Sequence, residues 1–221
     1  MDNIKRILST VVMIFPNDEI YLSSIRRNES IHILNEKYKL KLLQQADTFL
    51  MSQNQLTFRE GEFILNAVPY SIDELTIDER RLIIKTQSTS EVALKLFQSI
   101  KEDLLSFDYR KKKPKYEPII TSYDTACVCQ LKTKISEKLN NAFLNNFLVK
   151  TGELMPKYDS QLSIIPFSLK FKIEYFNISP KLSKNKITLS DKFLTIEYRE
   201  KTDPEDRYYF ISSPTDSSTR N

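Results

Sequence analysis

The sequence predicts an α+β fold, with antiparallel sheet packed on two main helices. Apolar residues recur at every second position through much of the chain, in segments joined by short turns. Only two stretches, about residues 90–107 and 137–151, carry the spacing of an amphipathic helix. Strand segments cluster in runs around those helices and do not alternate strictly with them, which favours meanders over parallel crossovers.

The elements follow in order. Ile7 to Phe15 is an apolar stretch preceded by Lys5 and Arg6, which mimics a short signal peptide. Pro16-Asn17-Asp18 follows it without a small-residue cleavage site, and the β-branched Thr10-Val11-Val12 suits a buried strand better. No run approaches the roughly 18 apolar residues of a membrane-crossing helix, so the reading is a cytoplasmic protein. Residues 18–29 are ambiguous and admit a short helix. Residues 30–43 alternate through Ile31 and Ile33, then Tyr38, Leu40 and Leu42, and read as strand. The single histidine, His32, falls on the opposite face of that strand. Residues 55–72 read as two strands around a hairpin turn at Glu60-Gly61-Glu62. A short apolar run covers 79–87.

The first helix spans "STSEVALKLFQSIKEDLLSFD", residues 88–108. Ser90 suits the N-cap and Glu91 the positive end of the dipole. Val92, Leu96, Ile100 and Leu104 form one stripe, widened by Ala93 and Phe97. Residues 119–135 read as strand and contain Cys127 and Cys129, whose spacing puts both thiols on one face. Two sulfurs make an incomplete zinc site, and a bridge between them would strain the backbone. Buried thiols in a reducing compartment are the simpler reading. The second helix covers 136–152, with Leu139, Phe143 and Phe147 on one face and Gly152 as the left-handed residue past its end. Residues 161–176 alternate from Phe167 to Tyr175. Residues 186–200 and 206–213 read as further strands, joined by a turn at 202–206.

The chain thus divides into an α+β half at 1–109, a basic linker at 110–118, a second α+β half at 119–213 and a fraying tail at 214–221. The two halves are separate lobes or parts of one domain. At 221 residues the chain is long enough to bury a core without disulfides or metals. Its net charge of +4 is mild but uneven. Residues 1–109 carry 13 Lys and Arg against 16 Asp and Glu, and residues 110–221 carry 20 against 13.

Most of that excess sits in "YRKKKPKY", residues 109–116. Arg110, Lys111, Lys112, Lys113 and Lys115 give a local potential that phosphates favour, and the flanking Tyr109 and Tyr116 offer rings for unpaired bases. The same run also reads as a solvated strap, stiffened by Pro114. In "RYYF", residues 207–210, alternation puts Arg207 and Tyr209 on one strand face and Tyr208 on the other. Tyrosine beside arginine is the composition of interface anchors.

Two glycines leave no room for the glycine-rich phosphate loops or nucleophile elbows of many enzymes. One histidine argues against histidine-based metal or nucleophile chemistry. The sequence therefore points to a non-enzymatic intracellular adaptor subunit that needs no cofactor and no metal, with an enzyme built on dispersed carboxylates as a third reading. It would dock onto a protein partner or a second copy, through Arg207, Tyr208 and Tyr209. The alternative is a nucleic-acid-binding protein that uses 110–115 within a larger assembly. No membrane role is expected.

Overall fold

The computed structural model describes residues 3–43, 55–110, 114–132, 168–173, 192–199 and 206–214. In chain order these form β1 (Asn3–Ile14), α1 (Leu22–Ile25), α2 (Asn28–Tyr38), β2 (Lys41–Leu42), β3 (Gln55–Leu65), β4 (Val68–Asp78), β5 (Arg81–Thr86), α3 (Ser90–Phe107), β6 (Ile120–Gln130), β7 (Ser168–Ile173), β8 (Lys192–Tyr198) and β9 (Tyr208–Ser213). The fold is α+β. Among the described residues, nine strands form one antiparallel sheet in the order β2-β3-β4-β5-β1-β6-β9-β8-β7. The expected helix at 137–151, the tail beyond Pro214 and Lys111, Lys112 and Lys113 lie outside the described residues.

β1 sits at the centre of the sheet order. Val11, Met13 and Phe15 are fully buried on one face. β1 pairs with β5 on one side and β6 on the other, so that Val11 faces Ile84 and Tyr123. The sheet thereby continues from the first half of the sequence into the second. Leu82 and Ile84 of β5, Leu75 and Ile77 of β4, and Leu56 and Phe58 of β3 extend the apolar face. α3 covers it with Val92, Ala93, Leu96, Phe97, Ile100 and Leu104. Full burial of a leucine-, isoleucine- or phenylalanine-sized chain contributes about 1.5–3 kcal/mol, so this stripe is a main source of stability. The helix begins one residue earlier than the expected cap implies: Thr89 is the N-cap and Ser90 is its first residue.

The other sheet face is polar at β3 to β5. Glu74 takes Lys85 at 2.8 Å and Arg59 at 3.3 Å, and the lysine hydrogen bond holds the Glu74 carboxyl below its usual range. One buried and one solvated face is the usual arrangement of an antiparallel sheet, and it accounts for the alternation in the sequence.

Two local expectations are corrected. Residues 30–43 are not one strand: α2 occupies Asn28–Tyr38 and ends on Lys39, at φ 52°. The buried residues are Ser30, Leu34 and Tyr38, a helical spacing, whereas Ile33 is exposed. Tyr38 reaches Asp103 of α3 at 2.5 Å and Ser99 at 2.8 Å. Burial, with the Asp103 carboxylate beside it, pushes its phenol well above the usual range. His32 is exposed on this helix.

The hairpin turn is also not at Glu60-Gly61-Glu62. β3 runs through these residues, and the turn is Asn66-Ala67, both at positive φ, between the paired Leu65 and Val68. That is the two-residue loop whose twist matches the flanking strands. Gly61 serves close approach instead. A Cβ there would lie 2.7 Å from Leu40 Cδ2 and 2.9 Å from the Tyr38 carbonyl oxygen.

Candidate docking site: an arginine-lined cleft

Three chain segments meet past the end of β1. The first is the loop from Phe15 to Tyr21, where Pro16 ends the strand and Asp18 takes a positive φ of 62°. The second is the β4–β5 turn. Asp78 accepts the backbone N–H groups of Arg80 and Arg81 at 2.8 and 2.6 Å, and Phe15 N–H donates to the Arg80 carbonyl at 2.8 Å. The third is the chain leaving α3, which carries the start of the basic run.

Arg110 fastens the third segment to the first. Asp108 is fully buried at its carboxylate and accepts the Arg110 guanidinium through Nε at 2.9 Å and Nη2 at 2.5 Å. The same guanidinium donates to the Glu19 carbonyl at 2.9 Å and to the Asp18 carbonyl. The Asp108 carboxylate pushes the Arg110 pKa up, so this cation stays charged and committed. Glu19 in turn accepts the backbone N–H groups of Lys115 and Tyr116 at 2.6 and 2.5 Å. Tyr116 is 2% exposed and sits edge-on to Phe15, and burial raises its phenol pKa.

The cleft left between these segments has a volume of about 620 Å³. Asp18, Tyr21, Arg26, Glu79, Arg80 and Arg110 are among its lining residues. Arg26 and Arg80 are exposed, and their guanidinium groups make no ion pair with the described residues. A ladder of rings and cations runs out from one wall. Arg110 lies 5.2 Å from the Tyr21 ring centre, Tyr21 meets Tyr109 edge-on at 5.6 Å, and Arg27 covers Tyr109 at 4.0 Å. Tyr109 donates to the Tyr21 hydroxyl at 3.3 Å, a bond that raises its pKa, and it remains 53% exposed.

Of the sequence-predicted polyanion residues, Arg110 is thus a fastener at the rim and Lys115 is exposed beside it. The β9 residues lie elsewhere and do not share a face. Arg207 turns at φ 57° and donates to the Lys132 carbonyl. Tyr208 is half-buried and takes Lys5, whose Nζ is 2.6 Å from the hydroxyl. Tyr209 is 1% exposed, 4.7 Å from the Tyr198 ring. Phe210 borders a second groove of about 600 Å³ with Arg6, Leu8, Val128 and Arg199. Cys127 and Cys129 are buried thiols on β6. Among the described residues, no three His, Cys, Asp or Glu side chains cluster closely enough to hold a metal ion. Nor is any described helix long and apolar enough to cross a membrane.

Sequence reasoning did not name Tyr21, Arg26, Arg27 or Arg80. They come from segments that only the fold brings to the basic run, and the adjacent pair Arg26-Arg27 was the one local signal. No family model matches the chain, and no curated protein does.

Proposed function

We propose that this chain is a non-enzymatic binding subunit that docks onto another macromolecule through the arginine-lined cleft. One observation carries the reading: a buried Asp108–Arg110 pair fastens the cleft's frame, while Arg26 and Arg80 at its rim are left uncommitted. Cations with unspent hydrogen-bonding capacity on a fixed frame suit an anionic or polar partner surface, since the backbone that carries them needs no further ordering on binding. Arginine is also the residue best suited to such contacts, with its rigid fork of donors. The setting we assign is cytoplasmic, in keeping with two buried thiols 127 and 129. A docking role for Tyr208, beside the second groove, is compatible with the same reading and is tested alongside it.

The test is affinity capture from extract with and without nuclease treatment, read beside light scattering of the purified protein. Wild type runs against Arg26→Glu/Arg80→Glu and against Tyr208→Ala. A defined partner or a second copy bound by wild type and lost in the arginine variant is the expected result. A strictly monomeric wild type that retains nothing the variant loses overturns the proposal.

A further inference from the structure

From the cleft and its ladder we infer that this site binds single-stranded nucleic acid, with one base stacked against Tyr109 and the neighbouring phosphates held by Arg26 and Arg80. The inference rests on the docking reading above and names its partner.

Charge alone does not carry it. Asp18 and Glu79 line the same cleft as Arg26 and Arg80, and Arg110 is neutralised by Asp108, so the local field is modest. What distinguishes the site is a large ring kept at the surface in a fixed orientation. Tyr109 is 53% exposed. It is held on edge by Tyr21 and on one face by Arg27, and Tyr21 is itself backed by Arg110. Three side chains, Tyr21, Arg27 and Arg110, are therefore ordered around one exposed aromatic group.

A π-face presented this way is complementary to an unstacked base, and every base offers one, so the contact is sequence-tolerant. An acidic peptide would use the guanidinium groups but would have no use for the ring. A duplex hides its base faces in the stack, which leaves Tyr109 without a partner. The ladder meets the cleft at Tyr21 and Arg110, which line it together with Arg26 and Arg80, so a strand whose base reaches Tyr109 passes its backbone along the cations. Two guanidinium–phosphate contacts on a single strand correspond to a salt dependence of about 1.4 in log–log slope.

The experiment is fluorescence anisotropy of the full chain with labelled oligo(dT), oligo(U), a duplex of equal length and poly-glutamate, at about 50 and 200 mM salt. Single strands should bind more tightly than duplex, and the two oligomers separate a DNA preference from an RNA preference. Tyr109→Ala should weaken single-strand binding about 5- to 150-fold, the span for loss of one stacked base. Tyr109→Phe should restore it, and this variant also excludes a mere folding defect. Arg26→Gln/Arg80→Gln should lower the salt slope by about 1.4. Equal affinity for duplex, poly-glutamate binding indifferent to Tyr109→Ala, or no binding at either salt would each overturn the inference. If oligomers fail while Arg26→Glu/Arg80→Glu still loses a nuclease-resistant partner, this inference falls and the docking reading stands. If neither is seen, both fall.

Discussion

Tyr109 and Tyr116 stand at the two ends of one basic run and are held in opposite ways. Tyr116 is 2% exposed, packed against Phe15, with its backbone N–H bonded to Glu19. Tyr109 is 53% exposed and is held only by side chains, Tyr21 at its edge and Arg27 on its face. One end of the run belongs to the core and the other to the surface. The same division separates its cations: Arg110 is spent on Asp108 and two carbonyls, while Lys115 projects outward. A run of like charges is therefore not a single functional unit. Its members are sorted by which acids and carbonyls the fold brings near them.

The sharpest way to break the comparison is at Arg110. If it is a fastener, Arg110→Ala leaves the buried Asp108 carboxylate without its guanidinium, at a cost of about 3–5 kcal/mol. If it were a solvated cation, the loss would stay within about 0.5 kcal/mol. Urea unfolding decides between them, with the shift read in the midpoint. Arg110→Lys should recover only part of the loss, because an ammonium cannot span Asp108 and the two carbonyls together.

A smaller effect, read by pH, tests the burial of Tyr116. Burial raises the Tyr116 pKa above its ordinary value, as it does for Tyr38. The sign follows from linkage. Below about pH 10 both states keep the phenol proton and the stability is fully present. As pH rises beyond that, the unfolded chain releases the proton and the folded chain retains it, so stability falls. Each such group contributes about 1.4 kcal/mol per pH unit until its folded pKa is reached. Tyr116→Phe should therefore flatten the alkaline limb of a stability-versus-pH curve by one proton. An unchanged slope would place Tyr116 in water.

The sequence conveyed the fold class well because an antiparallel sheet with one solvated face writes its period directly into the chain, as in β1 and α3. It conveyed less where two periods coincide. Ile31 and Ile33 satisfy a strand, but Leu34 and Tyr38 satisfy a helix, and packing of Tyr38 on Asp103 decides for the helix. Gly61 invited a turn because turns and close backbone approach both call for glycine, and only Leu40 and the Tyr38 carbonyl reveal which applies. The actual turn offered Asn66, which tolerates positive φ, followed by an alanine that gives no hint of it. The cleft was the least legible. Tyr21, Arg26 and Arg80 converge only after β1, β4 and β5 have paired, and no local pattern records that convergence.

The smallest predicted effect on stability belongs to Tyr109, and its smallness is the point. An exposed cation–π contact contributes about 0.5–1 kcal/mol and one edge-on ring pair about 0.5–1.5 kcal/mol. Tyr109→Ala should therefore shift the urea midpoint slightly, whereas Tyr116→Ala opens a cavity beside Phe15 and should cost several-fold more. Equal losses would mean that the two ends of the run are held alike. A slight loss at Tyr109 combined with a large loss of single-strand binding would separate what the ring does for folding from what it does at the surface. Three ordered side chains around a ring that barely stabilises the fold are then accounted for by what the ring contacts from outside.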